Sequence, residues 1–218
     1  MKTYNLEATP REIVGQKASN NLRKQGLIPA VLYGQMPIDL PYQNEKIVKG
    51  EKIVEIADKK GIIVTNFTIS FDDARKLIYT PEIYVINIDI VGSKQVKAIL
   101  KDCQYHPVTD KILHLDFLEV FDNKPVIMEV PVLLDGYALG VKAGGKLNQT
   151  IRKLKVRGLA NDIPEVLKVN VNHLELGKSI KVGELSFDNI EFVSPKNMVV
   201  CIVKMTRASQ SAAAAANK

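Results

Sequence analysis

His114 and Asp116 stand two residues apart in the run Lys-Ile-Leu-His-Leu-Asp-Phe-Leu-Glu-Val that ends at Val120. Side chains alternate along a strand, so the two share a face with Ile112 and Leu118, while Leu113, Leu115 and Phe117 take the other. Three chemistries fit such a pair: a structural hydrogen bond, a His-Asp couple for acid–base catalysis, or a polar patch that docks a ligand. No nucleophile or metal ligand accompanies it at a recognisable spacing, and His106 and His114 lie eight apart across a turn, which is not a zinc spacing. Neither a metal nor another cofactor is expected. A second polar group falls within residues 11–34, where Arg11, Lys17, Asn20, Asn21, Arg23 and Lys24 crowd a segment with few acids and Tyr33 ends an apolar run beside Gly34. Point charges and guanidinium forks suit phosphate, and amides suit sugar and base edges, so this set matches a nucleic-acid backbone. A solvated helix face is the alternative.

The elements that must position these residues follow from periodicity. Residues 2–9 alternate loosely and read as a first strand ended by Pro10. Residues 18–25 read as a short helix, since Gly26 can take the left-handed conformation that closes a helix and Pro29 cannot continue one. The apolar run 28–33 is a strand. Residues 45–60 mix lysines with Ile47, Val48, Ile53, Val54, Ile56 and Ala57 at roughly helical spacing, which predicts a charged amphipathic helix. Residues 62–71 read as a strand, followed by a helix that starts at Asp72-Asp73, with Asp72 as its cap, and stops before Pro81. Residues 82–91 and 95–103 are Ile- and Val-rich strands joined through Gly92-Ser93, a hairpin signal. Alternation of Val85, Asn87 and Asp89 against Ile86, Ile88 and Ile90 gives one buried and one wetter face.

The chain has 218 residues, a formal net charge of +6 and a hydrophobic content of 46%, which suits two ordinary domains and an acidic partner. Its two cysteines, Cys103 and Cys201, build neither a disulfide framework nor a four-ligand zinc site, and both sit in apolar runs as small buried side chains. No apolar run reaches membrane-spanning length, so a soluble, cytoplasmic protein is expected.

Two long motifs resemble a known family. Arg-x3-Gly-x-Lys-Ala-Ser-x2-Leu-Arg-Lys-x-Gly-x-Ile-Pro-Ala-Val-Leu-Tyr-Gly begins at Arg11, and Lys-Asp-x-Gln-x-His-Pro-Val-Thr-Asp-Lys-x-Leu-His-x-Asp-Phe begins at Lys101. Together with Val-Pro-Val-x3-Gly-x3-Gly-Val-Lys-Ala-Gly-Gly-Lys-Leu from Val130 and the Asn-Asp-Ile-Pro-Glu segment from Asn161, they resemble the bacterial ribosomal protein L-twenty-five family in its long two-domain form, the general stress protein CTC type. The resemblance implies a non-catalytic ribosomal protein of translation: an N-terminal small β-barrel with accessory helices that binds 5S ribosomal RNA in the large subunit, and a second, mainly β domain. It implies RNA contacts from Arg11, Arg23, Tyr33, His114 and Asp116, with Lys17, Ser19, Lys24, Gln104 and His106 inside the same motifs as second-rank contacts. Asn20-Asn21 replace a basic pair frequent in the family, and Gln16 a frequent lysine. Two or three cationic contacts thereby become neutral hydrogen bonds, and each lost phosphate contact flattens the salt slope by about one unit. Residues 36–65 look like an insertion relative to short members, with a surface elaboration as the plain reading.

Composition changes at Phe121–Pro125, which places the domain junction there: 1–120 is the RNA-binding domain, 121–206 an all-β domain and 207–218 a low-complexity tail read as disordered. Strands are expected at 126–134, 153–158, 166–171 and 198–204, forming a sandwich or bent sheet. The glycines of 140–145 and Gly177-Lys178-Ser179 lack a complete phosphate-loop pattern and read as turns. Lys153, Lys155 and Arg157 share one strand face, which leaves open whether RNA, including 23S ribosomal RNA, or a neighbouring ribosomal protein lies against it. A β-rich stress module acting through protein partners is the second function class. No membrane or small-molecule partner is expected.

Overall fold

The structure, a computed structural model, describes residues 2–34, 38–39, 51–57, 60–80, 82–91 and 95–206. The chain forms two compact units that divide between Lys124 and Pro125. Both are mainly β, as the sequence implies.

The N-terminal unit contains β1 (Lys2–Pro10), α1 (Gln16–Lys24), β2 (Leu27–Tyr33), β3 (Ile38–Asp39), β4 (Glu51–Ala57), β5 (Lys60–Ser70), α2 (Phe71–Ile78), β6 (Tyr84–Ile90), β7 (Gln95–Tyr105) and β8 (Ile112–Glu119). Strand order β1-β6-β7-β8-β2-β5 returns to β1 through Thr9 opposite Thr68, so six strands close into a barrel. Closure follows from alternation: Ile86, Ile88 and Ile90 point inward with Ile28, Ala30 and Leu32, and a sheet with one apolar face buries it by curling onto itself. Phe67 and Phe117 are fully buried at the centre, with ring centroids 5.7 Å apart. Ala8, Ala30 and Ala98 are the small inward residues around them. Leu77 and Ala74 of α2 join the same core.

Three local expectations are corrected. Residues 51–57 of the expected 45–60 helix are a strand, paired antiparallel with β5 from Glu51 opposite Thr65 to Ala57 opposite Lys60; residues 45–50 lie outside the described residues. The β-branched run of β5 supplies a pairing partner that outweighs the helical spacing of a short segment. The cap of α2 is Ser70, whose hydroxyl accepts from the Asp73 amide, rather than Asp72. Strand β8 is also not a simple alternation. Gln104 faces His114 but Tyr105 faces Ile112, so Leu113 is an extra residue, a β-bulge. The bulge shifts the phase, and Ile112 is buried with Leu115 and Phe117 instead of sharing the face of His114.

The C-terminal unit contains β9 (Val126–Asp135), α3 (Leu139–Lys142), β10 (Lys146–Gln149), β11 (Lys153–Gly158), β12 (Leu167–Asn170), β13 (Ser179–Lys181), β14 (Glu191–Phe192) and β15 (Val199–Lys204). Two sheets result, β12-β9-β11-β14 and β10-β15-β13. The four expected strands correspond to β9, β11, β12 and β15. Strands β13 and β14 are too short to show a period, and β10, Lys-Leu-Asn-Gln, carries a single apolar residue. The tail 207–218 lies outside the described residues.

Phe117→Ala should cost about 3–5 kcal/mol, as for other fully buried aromatics, read from the urea midpoint; a loss below about 1 kcal/mol would mean that the barrel is not packed around this ring.

Candidate nucleic-acid interface

Helix α1 has nine residues and none is fully buried. A helix of that length is marginal in isolation, so its position depends on what fastens it. The bulge in β8 supplies one fastening. Pairing between β2 and β8 registers from Ala30 opposite Leu115, and the preceding residue of β2, Pro29, has no N–H to offer. The Leu113 carbonyl instead accepts from the Arg23 guanidinium twice, from Nε at 3.1 Å and from Nη2 at 3.0 Å, while Arg23 Nη1 donates to Asn20 Oδ1 at 3.1 Å. The second fastening is Arg11. Its amide donates to the Asn66 carbonyl of β5, its Nη2 donates to Ser19 Oγ at 2.8 Å and its Nε to the Ile13 carbonyl, and Ser19 in turn donates to the Gly15 carbonyl. At the far end the helix closes on Gly26, whose φ of 77° is open to glycine, and the Gly26 carbonyl accepts from the Phe71 amide at the start of α2.

Every one of these acceptors is neutral. Among the described residues neither Arg11 nor Arg23 forms an ion pair with a carboxylate. Burial, then the charge of Arg23, lowers the pKa of Arg11. Both also bear on His114. Burial is the largest cause that pushes its imidazole below the ordinary 6.5; Asp116 opposes it, and Arg23 and Arg11 add to it. His114 Nδ1 lies 3.2 Å from Asp116 Oδ1, and the two side chains are only 23% and 17% exposed. The approach is too bent for a hydrogen bond, and neither atom has another partner among the described residues. Tyr33 completes the group from β2. Its phenol is held above its ordinary pKa by burial and by Asp116, so it stays a protonated donor.

Arg11, Arg23, Tyr33, His114 and Asp116 are thus tied to one another by contact or by charge. Ser19 and Asn20 belong with them as the acceptors that aim the arginines. Gln104 is exposed directly opposite His114 in the β7–β8 register. Lys17 and Lys24, seven apart, share the exposed side of α1. Asn21 lines a cleft of about 520 Å³ that Arg11 lines as well, with Pro10, Ile13, Ala18 and Leu22. One residue stands apart. His106 Nδ1 accepts from the amides of Val108 and Thr109, both at 3.2 Å, so it holds the β7–β8 turn. Lys101 was not among the expected residues. Leu100 faces Phe117 but Asp102 faces Asp116, which makes Lys101 the bulged residue of β7 and sets its Nζ 6.0 Å from the centre of the Tyr33 ring. Bulge position is set by long-range register, so the local sequence does not announce it.

A sequence profile of the ribosomal L25p family matches residues 6–57 and 51–117, and that of ribosomal protein TL5, C-terminal domain, matches residues 125–207. The large ribosomal subunit protein bL25 of Porphyromonas gingivalis is 49% identical over 98% of both chains. The protein of that name from Bacteroides thetaiotaomicron is 48% identical over the full length of both. The chain belongs to the ribosomal L25p family. Within it, this L25p chain is of the long form, with the second unit matched as well.

The depressed pKa of His114 has a stability consequence. Between the lower folded value and the unfolded value near 6.5, the unfolded chain binds more protons, so this contribution is complete above pH 6.5 and is lost as pH falls below it. His114→Gln should therefore lose less stability than the parent between pH 7.5 and pH 5 in urea titrations. Equal losses in the two proteins would show that His114 does not carry this acid sensitivity.

Proposed function

We propose that the chain is a non-catalytic component of the bacterial large ribosomal subunit, ribosome-bound in the cytoplasm, and that its N-terminal barrel binds 5S ribosomal RNA. The observation that supports this most is the arginine pair beside the His114–Asp116 couple: two cations aimed by neutral acceptors, next to a buried imidazole nitrogen and carboxylate oxygen that face each other at 3.2 Å and make no hydrogen bond among the described residues. Buried polar groups are ordinarily satisfied, and unneutralised guanidiniums of this geometry suit phosphate oxygens.

Each side chain has a role in that reading. Arg11 and Arg23, with Lys17 and Lys24 on the exposed side of α1, hold phosphates. Tyr33 stays protonated and donates to a sugar hydroxyl or stacks on a base. His114, neutral above the mildly acidic range, offers one nitrogen as donor and one as acceptor. Asp116 accepts from a base amino group in the wide, shallow minor groove of an RNA helix, which is the use an acid has in such a site. The rigidity of β8 and β2 fits the reading of a fixed helical shape. Neighbouring ribosomal proteins are further partners in this setting, as the names borne by the relatives suggest.

The test is binding of the full chain to 5S ribosomal RNA against excess unrelated RNA. Arg23→Ala should weaken binding roughly tenfold or more and lower the salt slope by about one unit, with Lys76→Ala on α2 nearly silent. Asp116→Asn should narrow the preference for 5S over unrelated duplex RNA. Binding that unrelated RNA competes away, or an Arg23→Ala protein that binds like the parent, would contradict the proposal.

A further inference from the structure

The C-terminal unit distributes its exposed cations in two ways. On the outer face of β11 two of three have an acid opposite them: Lys155 Nζ lies 3.8 Å from Glu129 Oε1 and Arg157 faces Glu191 of β14 in register, while Lys153 lies opposite Pro131. On the sheet β10-β15-β13 they do not. Lys146 and Lys204 are direct antiparallel partners, both exposed, while their inward neighbours Leu147 and Val203 also face each other. Like charges directly opposite on paired strands repel. Among the described residues no carboxylate lies within ion-pair distance of either amine. An anion laid across the two strands relieves that repulsion.

A second, independent feature stands at the same end of this sheet. Tyr137 is 59% exposed, and Lys142 Nζ lies 5.9 Å from the centre of its ring. The ring is on a fixed loop. The Tyr137 amide donates to Asn172 Oδ1 at 2.7 Å, and that oxygen occupies the space a Cβ on Gly136 would need, at 2.2 Å, where φ is 92°. The Asn172 amide itself donates to Asn170 Oδ1. Two further bonds join the loop to the lysine pair: the Gly145 amide donates to the Gly140 carbonyl next to Lys146, and Thr206 Oγ1 donates to the Gly144 carbonyl from just beyond Lys204.

From this arrangement we infer that the C-terminal unit has its own RNA-binding surface at the β10–β15 end. Lys146 and Lys204 hold phosphates there, and Tyr137, backed by Lys142, stacks on an unpaired base. Backbone charge and base–aromatic stacking are the two components of sequence-tolerant recognition of unpaired RNA, and a lysine over the ring adds a cation–π contribution. An acidic protein surface would meet the lysines alone; a rigid exposed ring with Lys142 against it is what a base uses. This surface is separate from the 5S patch and does not depend on it.

The probe is protein-free large-subunit ribosomal RNA stripped of its 5S component, bound to the full chain. Replacing Lys142, Lys146 and Lys204 together by Gln should weaken binding roughly tenfold to a hundredfold and flatten the salt slope by two to three units, with the melting temperature unchanged or higher because a repulsive pair is gone. Tyr137→Leu should weaken binding and Tyr137→Phe should not. The control pair Lys153→Gln with Lys155→Gln should change little. Binding of the triple-Gln protein to isolated 5S RNA should equal that of the parent, which keeps the two sites separable and reports on folding. A triple variant that binds the stripped RNA like the parent overturns the inference. So does a control pair as damaging as the triple, a Phe variant as weak as Leu, or a defect seen only with intact large-subunit particles, which would make the surface a protein dock.

Discussion

The carbonyl of Leu113 is where the N-terminal site is held together. A bulge in β8 and the missing N–H of Pro29 leave that oxygen to the Arg23 guanidinium, which fastens α1 across the outside of the barrel. Without it the helix would be nine residues of mostly polar sequence with little to bury. With Arg11 reaching Ser19 from the end of β1, the helix is fixed at both ends and its cations acquire definite positions. The same bulge turns Ile112 into the core and leaves His114 on the outer face, so one irregularity in register sets both the helix and the strand side of the patch.

Electrostatics gives this patch its character. Elsewhere on the barrel Lys2 meets Glu82, Lys76 meets Asp73 and Lys97 approaches Asp122, exposed pairs that contribute little to stability. Arg11 and Arg23 are served by hydroxyl, amide and carbonyl oxygens, which orient a guanidinium without neutralising it. Burial lowers the pKa of His114 most, and their charge adds to it against the opposing pull of Asp116. Asp116, with Asp102 opposite it on β7, is close enough to influence both His114 and the phenol of Tyr33. A surface of this composition gives phosphate a strong attraction and gives base edges both donors and an acceptor.

Much of this was legible in the sequence, and the limits have identifiable physical causes. Alternation in β6, β9 and β11 is enforced by one buried face, so Ile86, Ile88 and Ile90 could be placed inward from their order alone. The first helix could be bounded because Gly26 and Pro29 punctuate it. Residues 51–57 could not be assigned locally: Ile53, Val54, Ile56 and Ala57 fit a helical face as well as a strand, and pairing with Ile62–Thr65 decided between them. The bulges at Lys101 and Leu113 are properties of two strands in register, so neither the burial of Ile112 nor the place of Lys101 above Tyr33 can be read from one strand. His106 looked like a member of the site because it falls in the motif, yet its Nδ1 is occupied by the turn. The resemblance named the residues; only the geometry separates those that face outward together from those that hold the scaffold.

The central claim is that α1, β2 and β8 present one surface to 5S ribosomal RNA. The most direct measurement is an NMR titration of the isotope-labelled full chain with that RNA, following backbone amides together with arginine Nε and histidine side-chain signals. The account predicts that the largest changes fall on Arg11, Arg23, Tyr33, His114 and Asp116 and their immediate neighbours, while β6 and residues 2–7 of β1, on the other side of the strand order, stay unperturbed. Changes centred on β6 and residues 2–7 of β1, with the Arg23 and His114 side-chain signals unmoved, would contradict it.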